Sequence, residues 1–274
     1  MKRIGIALGA GGARGLAHIV VLQALEELGI KPSIISGTSI GAVIGAGFAA
    51  GLSTAEMKGA VEEIQTTKSK RLKRLYDNSQ LNFALAFLDP AIRPGGLIKG
   101  EKFIKFFYSK VLVRRFEELE IPFLAIATHF WKREQVILGK GNLLKAVQAS
   151  YSMPGLFSPV GIGGDLYVDG GLVNPLPYDV IRPFCDITVA VDVSIRSVSR
   201  TAAPLRAQEV LFSAFQTMQN SIVREKLRQN PPDIQIEVEM KNVRALEFHK
   251  TTSIFEQALP WKEELKTKLL PFLD

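Results

Sequence analysis

From Pro32 to Ala55 the chain carries no charged residue, yet the stretch is rich in Gly, Ser, Thr and Ala rather than Leu. That makes a poor membrane span and a good close-packed element, because small side chains let one backbone approach another. Inside it lies Ile35-Ser36-Gly37-Thr38-Ser39-Ile40-Gly41-Ala42, of the form G-x-S-x-G. The apolar pair Ile34-Ile35 leads in, and the small-residue run Ala42 to Ala50 leads out. This predicts a strand turning sharply into a helix. Gly37 and Gly41 admit the turn, and Ser39 sits strained with its hydroxyl exposed. Such a serine is a candidate nucleophile; the competing reading is a Gly/Ser turn with no chemistry.

Upstream, residues 4–8 (IGIAL) read as a buried strand. The loop Gly9-Ala10-Gly11-Gly12-Ala13-Arg14-Gly15 follows, then a helix with apolar positions at Leu16, Ile19, Val20, Leu22, Leu25 and Leu28. Gly29 caps that helix, and residues 30–36 return to the sheet. A βαβ unit of this kind predicts a parallel sheet. The loop is not a dinucleotide fingerprint: Arg14 stands where a third glycine is required, and no acidic residue closes the second strand. No G-K-[ST] follows, so it is no phosphate loop either. The remaining chemical use is an oxyanion hole, with the N–H groups of Gly11, Gly12 and Ala13 aimed at one spot. Arg14 fixes this loop or meets an anionic headgroup; the competing reading is an ordinary loop-surface residue.

Further along, a helix is expected over 53–75 with Ser53 or Thr54 as N-cap. Residues 68–96 mix a basic and an apolar run. They read as a lid or membrane-touching region, or as a peripheral helix pair. A short helix near Lys99-Gly100-Glu101 carries Phe103, Ile104, Phe106 and Phe107. Residues 121–130 form a buried strand with a partner at 135–138. Asn142 caps a helix at 143–150, and a proline-pinned loop covers 152–160. A short strand then delivers Asp169 into Gly170-Gly171, and another buried strand spans 187–193. A helix at 205–228, a strand at 233–239 and a terminal helix complete the chain. The expected organisation is a domain over 4–195, with a helical insert at 60–120, and a C-terminal extension over 196–274 packed on it.

A serine nucleophile needs a proton acceptor. The three histidines are poorly placed. His249 lies in a charged segment resembling an exposed turn. His18 reads as a support for the glycine loop, and His129 as structural. The order Ser39, Asp169, His249 imitates an α/β-hydrolase, but the elbow comes too early in the chain for that fold. Asp169 is the better candidate. A carboxylate acts as general base where its surroundings limit water, and Gly170-Gly171 admit a close neighbour. The competing reading is an ordinary Asp-Gly turn. Asp165 shows the same chemistry without the glycine pair and reads as a turn residue.

The net charge of +7 favours anionic surfaces. Part of the excess is local, in Lys68, Lys70, Arg71, Lys73 and Arg74 and again in Lys99, Lys102, Lys105 and Lys110; taken alone, each cluster reads as a solvated helical face. No nucleic-acid motif accompanies it. The single cysteine, Cys185, supports neither a disulfide framework nor a metal cluster and suits a reducing cytoplasm. The N-terminus lacks the apolar region and cleavage site of a leader, so none is expected.

Taken in order, Gly9-Ala10-Gly11-Gly12-Ala13-Arg14-Gly15, Gly37-Thr38-Ser39-Ile40-Gly41 and Asp169-Gly170-Gly171 resemble the patatin-like phospholipase family, closest to its small bacterial members. The segment Ala149 to Phe157 strengthens the likeness, which covers roughly residues 4–195. The resemblance implies a three-layer α/β/α sandwich with a mainly parallel sheet. It implies Ser39 as nucleophile, Asp169 as base, the 11–13 loop as oxyanion hole, and hydrolysis of lipid acyl esters with no metal or other cofactor. The expected partner is a lipid substrate, with peripheral contact at the inner face of an anionic membrane. Two positions depart from the pattern: Ala10 replaces a glycine, and His129 stands where bacterial relatives commonly carry an aspartate. Two other uses of the same scaffold stay open, a lipid-binding adaptor without turnover and an acyltransferase.

Overall fold

The computed structural model describes residues 2–72, 113–194 and 207–273. The lid expected at 68–96, past its first helical residues, and the short helix near Lys99 lie outside the described residues, as does the boundary near 195.

Strand β1 (Ile4–Leu8) is fully buried. A tight 3-10 turn (Gly12–Leu16) intervenes before helix α1 (Ala17–Glu27), so the glycine loop coils before the helix proper begins. Gly29 ends the helical segment at φ +67°, where a side chain is disfavoured. Strand β2 (Ile34–Thr38) runs parallel to β1 with Ile6 opposite Ile35. Helix α2 (Ile40–Ala49) follows at once and is buried along its whole length, as its uncharged sequence requires. Helix α3 (Thr54–Leu72) opens on a reciprocal cap. Ser53 N–H donates to Glu56 Oε2 at 2.9 Å, and Glu56 N–H donates to Ser53 Oγ at 3.2 Å.

The rest of the sheet comes from β3 (Phe123–His129), β4 (Glu134–Leu138), β5 (Val160–Ile162), β6 (Asp165–Asp169), β7 (Ile187–Asp192) and β8 (Ile234–Glu237). The order is β5-β6-β3-β2-β1-β7-β8, with β4 pairing β3. Neighbours among β3, β2, β1, β7 and β8 are parallel, and β4, β5 and β6 join antiparallel. Alternate residues feed opposite layers. Ile6, Leu8, Ile35, Val189 and Val191 pack with α1, α2, α4 (Leu143–Tyr151) and α6 (Thr251–Leu269). Ala7, Ile34 and Ala190 pack instead with Tyr178, Ile181 and Val223, the last on helix α5 (Ala207–Gln229). Residues past 207 therefore share the sheet and both layers with the N-terminal half. Asn142 caps α4 as its side chain predicts, accepting from Lys145 N–H at 2.9 Å.

Successive strands run outward from β1 in both directions, through β2 and β3 on one side and β7 and β8 on the other. The crevice past the carboxyl ends of β1 and β7 is thus a topological switch point, where open α/β sheets bind ligands.

Candidate active site

Strand register brings the two candidate catalytic residues together. Along one side of β3, β2 pairs up to Thr38 opposite Ile126, and β6 takes over with Asp169 opposite Ala127. The opposite side of β3 is occupied by β4. Two strands therefore meet end to end beside β3, one finishing at Thr38 and the other at Asp169. Ser39 Oγ donates to Asp169 Oδ2 at 2.7 Å.

Ser39 holds φ 57° and ψ −123°, outside the regions open to an ordinary L-residue. The conformation is worth about 1–3 kcal/mol of strain and persists because its neighbours fix it. Ala42 N–H bonds back to Ser39 O at 2.9 Å. Ser39 N–H donates to the hydroxyl of Ser150, buried on α4, at 3.0 Å. Thr38 Oγ1 donates to Asn174 O at 2.8 Å. Removing the Ser150 hydroxyl leaves a half-buried N–H without its partner at the elbow. Ser150→Ala is expected to lower stability by about 1–3 kcal/mol in urea denaturation and to slow reaction at Ser39 about tenfold. Ser150→Thr restores the acceptor and should recover most of the reaction rate.

Asp169 is 1% exposed. Its backbone is held on both sides, by Ser152 O accepting from its N–H at 2.9 Å and by Thr128 Oγ1 donating to its carbonyl at 2.8 Å. Its second carboxylate oxygen accepts from Gly171 N–H at 2.7 Å. Burial raises the carboxyl to about 7, against the lowering effect of the bonds from Gly171 and Ser39. Tyr151, buried nearby, is raised by the same loss of water and by the Asp169 charge. A carboxylate with this affinity for a proton is matched to general-base work near neutrality.

The glycine loop is pinned at three points. Gly9 N–H bonds Val191 O at 3.0 Å, Ala10 N–H bonds Pro175 O at 2.8 Å, and Ala13 N–H bonds Ala245 O at 2.7 Å. The last bond corrects the expectation for Ala13: its N–H is spent on a carbonyl from the far end of the chain and is no oxyanion donor in this structure. Gly11 and Gly12 keep that expectation; among the described residues, their N–H groups enter none of these loop bonds. Gly12 sits at φ +59°, and a Cβ there would lie 2.3 Å from Ala245 O. Arg14 is buried and donates to Val238 O at 3.1 Å, so it fixes the loop rather than facing a headgroup. Burial lowers it to about 10. His18 is fully buried, and its Nε2 donates to Gly9 O at 2.8 Å. Desolvation drops it to about 4, which fits a neutral support for the loop.

Around Ser39 and Asp169 lies an apolar cleft lined by Tyr151, Leu156, Phe157, Phe212, Phe215 and Phe248, with Gln216 and Gln219 as polar members. Half of this wall is invisible to local sequence patterns. Phe212 and Phe215 come from α5, and Leu246 and Phe248 come from the segment expected to be an exposed turn. That segment instead buries Phe248, and a 3-10 turn over Phe248–Lys250 leads into α6. Lys226 ties α5 down beside the site, bonding Asn174 Oδ1 at 2.7 Å and Leu176 O at 2.8 Å and pairing with Asp179. Asp165 is not a turn residue; it begins β6 with a carboxylate oxygen 3.3 Å from Nε2 of buried His129. His249 does not line the cleft. Among the described residues, no three His, Cys, Asp or Glu side chains are grouped to hold a metal ion.

Fold and site together define a class: three-layer α/β proteins that set a serine on a strained elbow against a buried carboxylate, beside a glycine-rich loop. Within that class the chain belongs to the patatin-like phospholipase family, whose model matches residues 6–181. It is 36% identical over 193 residues to an uncharacterized NTE family protein of Mycobacterium tuberculosis, a match taking in 70% of this chain and 49% of that protein. It is 31% identical over 193 residues to lysophospholipase nte1 of Aspergillus fumigatus, covering 70% of this chain and 12% of that one. Among solved structures, VipD from Legionella pneumophila superposes with a TM-score of 0.51 at 15% identity, over 97% of this chain and 66% of that chain. The likeness to VipD concerns the fold. The chain thus matches about half the length or less of these curated relatives. The expected α/β/α sandwich with a mostly parallel sheet is the fold found.

Proposed function

We propose that this protein hydrolyses acyl esters of lipids, with Ser39 as nucleophile and Asp169 as its general base. The observation that carries the reading is the 2.7 Å bond from Ser39 Oγ to a buried carboxylate raised to about 7. As Oγ attacks the ester carbonyl carbon, its proton passes to Asp169 Oδ2, and the carbonyl oxygen becomes an oxyanion facing the N–H groups of Gly11 and Gly12. The intermediate collapses by breaking the bond to the alcohol, which takes the proton from Asp169. Water then loses a proton to Asp169 as it attacks the acyl-serine carbonyl; the bond to Ser39 Oγ breaks, Oγ takes that proton back from Asp169, and the fatty acid is released. The cleft's aromatic and aliphatic lining suits an acyl chain. Family membership and the lysophospholipase among its relatives favour lipid esters as the substrate class. The same reading puts the working site in the cytoplasm at the inner membrane face, in keeping with the basic charge. Among the described residues, no helix is long and apolar enough to cross a membrane.

Labelling by a fluorophosphonate, followed against pH, tests the dyad. Only ionised Asp169 accepts the serine proton, so the labelling rate is expected to rise about tenfold per pH unit below about 7 and to level off above it. Label should reside on Ser39. A native protein that takes no label at any pH favours the lipid-binding adaptor. Hydrolysis of a lipid panel, run with and without alcohol acceptors, separates hydrolase from acyltransferase.

A further inference from the structure

The hairpin joining β3 to β4 turns through Phe130-Trp131-Lys132-Arg133, between His129 and its partner Glu134. The turn is closed by Arg133 N–H on His129 O at 2.8 Å and by Lys132 N–H on His129 Nδ1 at 3.2 Å. Two aromatic rings stand at its tip, Trp131 68% and Phe130 41% exposed, edge to face with centroids 4.8 Å apart. Adjacent exposed aromatics signal an interaction surface rather than ordinary solvated surface. Arg133 holds φ +58°, a conformation glycine adopts without cost. Lys132 supplies a second cation, with Glu134 3.9 Å away as the acidic neighbour.

The tip lies at the same end of the sheet as the cleft. Thr38 is opposite Ile126 and Asp169 opposite Ala127, so Phe130, the first residue past β3, stands three residues beyond Ala127, roughly 10 Å past the level of Asp169. At the cleft itself Leu246 is 48% exposed; Leu211 and Met218 do not line it but lie on the helix that supplies Phe212 and Phe215, 54% and 55% exposed. Aromatic rings flanked by cations, projecting past a mouth with apolar edges, match the layered chemistry of a bilayer surface: phosphates outside, acyl chains beneath.

We propose that the 130–133 tip docks the protein on anionic lipid bilayers. Trp131 and Phe130 enter the headgroup region, and Lys132 and Arg133 meet lipid phosphates. The docked tip presents the cleft toward the membrane. The proposal rests on the lipid-ester reading for its purpose, and its test separates the two.

The chain has two tryptophans, so Trp261→Phe leaves Trp131 as the sole reporter. In that background, vesicles of phosphatidylcholine with phosphatidylglycerol are expected to shift Trp131 emission to the blue and to carry the protein down on sedimentation. Phe130→Ser with Trp131→Ser should weaken vesicle partition at least about tenfold. Lys132→Glu with Arg133→Glu should abolish the preference for anionic over pure phosphatidylcholine vesicles, as should high salt. Both tip pairs should keep wild-type turnover on a soluble short-chain ester, and Ser39→Ala should bind vesicles like the wild type. Tip variants that partition as wild type overturn the proposal. So does a wild type that stays in the supernatant with either vesicle. Vesicle binding lost with the tip while Ser39→Ala retains turnover supports the surface and sinks the dyad.

Discussion

Ser39→Ala is expected to lower kcat/KM for lipid esters by about 10⁴-fold or more, with the fold unchanged. The alanine keeps the elbow's Cβ and backbone and removes only the attacking oxygen. Asp169→Asn should cost about as much by a different route. The amide is nearly isosteric and can still accept from Gly171 N–H, yet it takes no proton from Ser39. The two variants differ in stability. Asp169 holds its proton more tightly in the fold, at about 7, than at its ordinary value of 3.8. Its contribution to stability is therefore fully present below about pH 4 and is lost as pH rises through about 7. Above that range the buried charge weakens the fold, and Asp169→Asn removes the charge. Thermal unfolding should show Asp169→Asn more stable than wild type at pH 8 and equal to it near pH 4. An Asn variant that is inactive and also less stable at pH 8 would mean that misfolding, rather than a missing base, explains the loss.

Gly41→Ala is expected to prevent folding or to destabilise by about 3 kcal/mol or more, read as a lowered urea midpoint. A Cβ at this position would lie 2.1 Å from Leu8 O and 2.8 Å from Gly9 O. Both are backbone atoms at the end of β1, so relief requires α2 to move off the sheet. That movement displaces Ser39 as well, because Ser39 is the residue from which α2 starts. Gly59 provides the contrast. It too lies in a helix, and a Cβ added there would meet no atom within 4 Å. Gly59→Ala should be neutral or slightly stabilising. Equal behaviour of the two variants would refute the close-approach argument.

Local chemistry made much of this legible from sequence. The elbow announces itself because only glycine tolerates the backbone contacts at 37 and 41, and Asp169 because glycines follow it. The Ser53 cap, the Asn142 cap and the β3–β4 pairing likewise depend on residues close together in the chain. What escaped depends on contacts between distant residues. Ser150 is an ordinary helix serine until a strand end 111 residues away places an N–H against it. Ala13 has the right N–H in the right loop, and nothing nearby reveals that Ala245 O claims it. The run Arg244 to Lys250 looks solvated because it is charged, although Phe248 within it is buried beside the cleft. Asp165 resembles a turn residue because its partner, His129, lies across the sheet.

The cleft draws its candidate reactive atoms from residues 39 and 169, whereas Phe212, Phe215, Leu246 and Phe248 in its wall come from the last third of the chain. Inheritance can act separately on these wall side chains and on residues 39 and 169. Substitutions at these wall positions reshape the cleft without touching residues 39 and 169, whereas exchange of the whole final third would also remove β8 and α6 from the shared core. The bond between Ala13 and Ala245 limits that freedom, since any replacement must return a carbonyl to the same spot or leave the glycine loop unmoored.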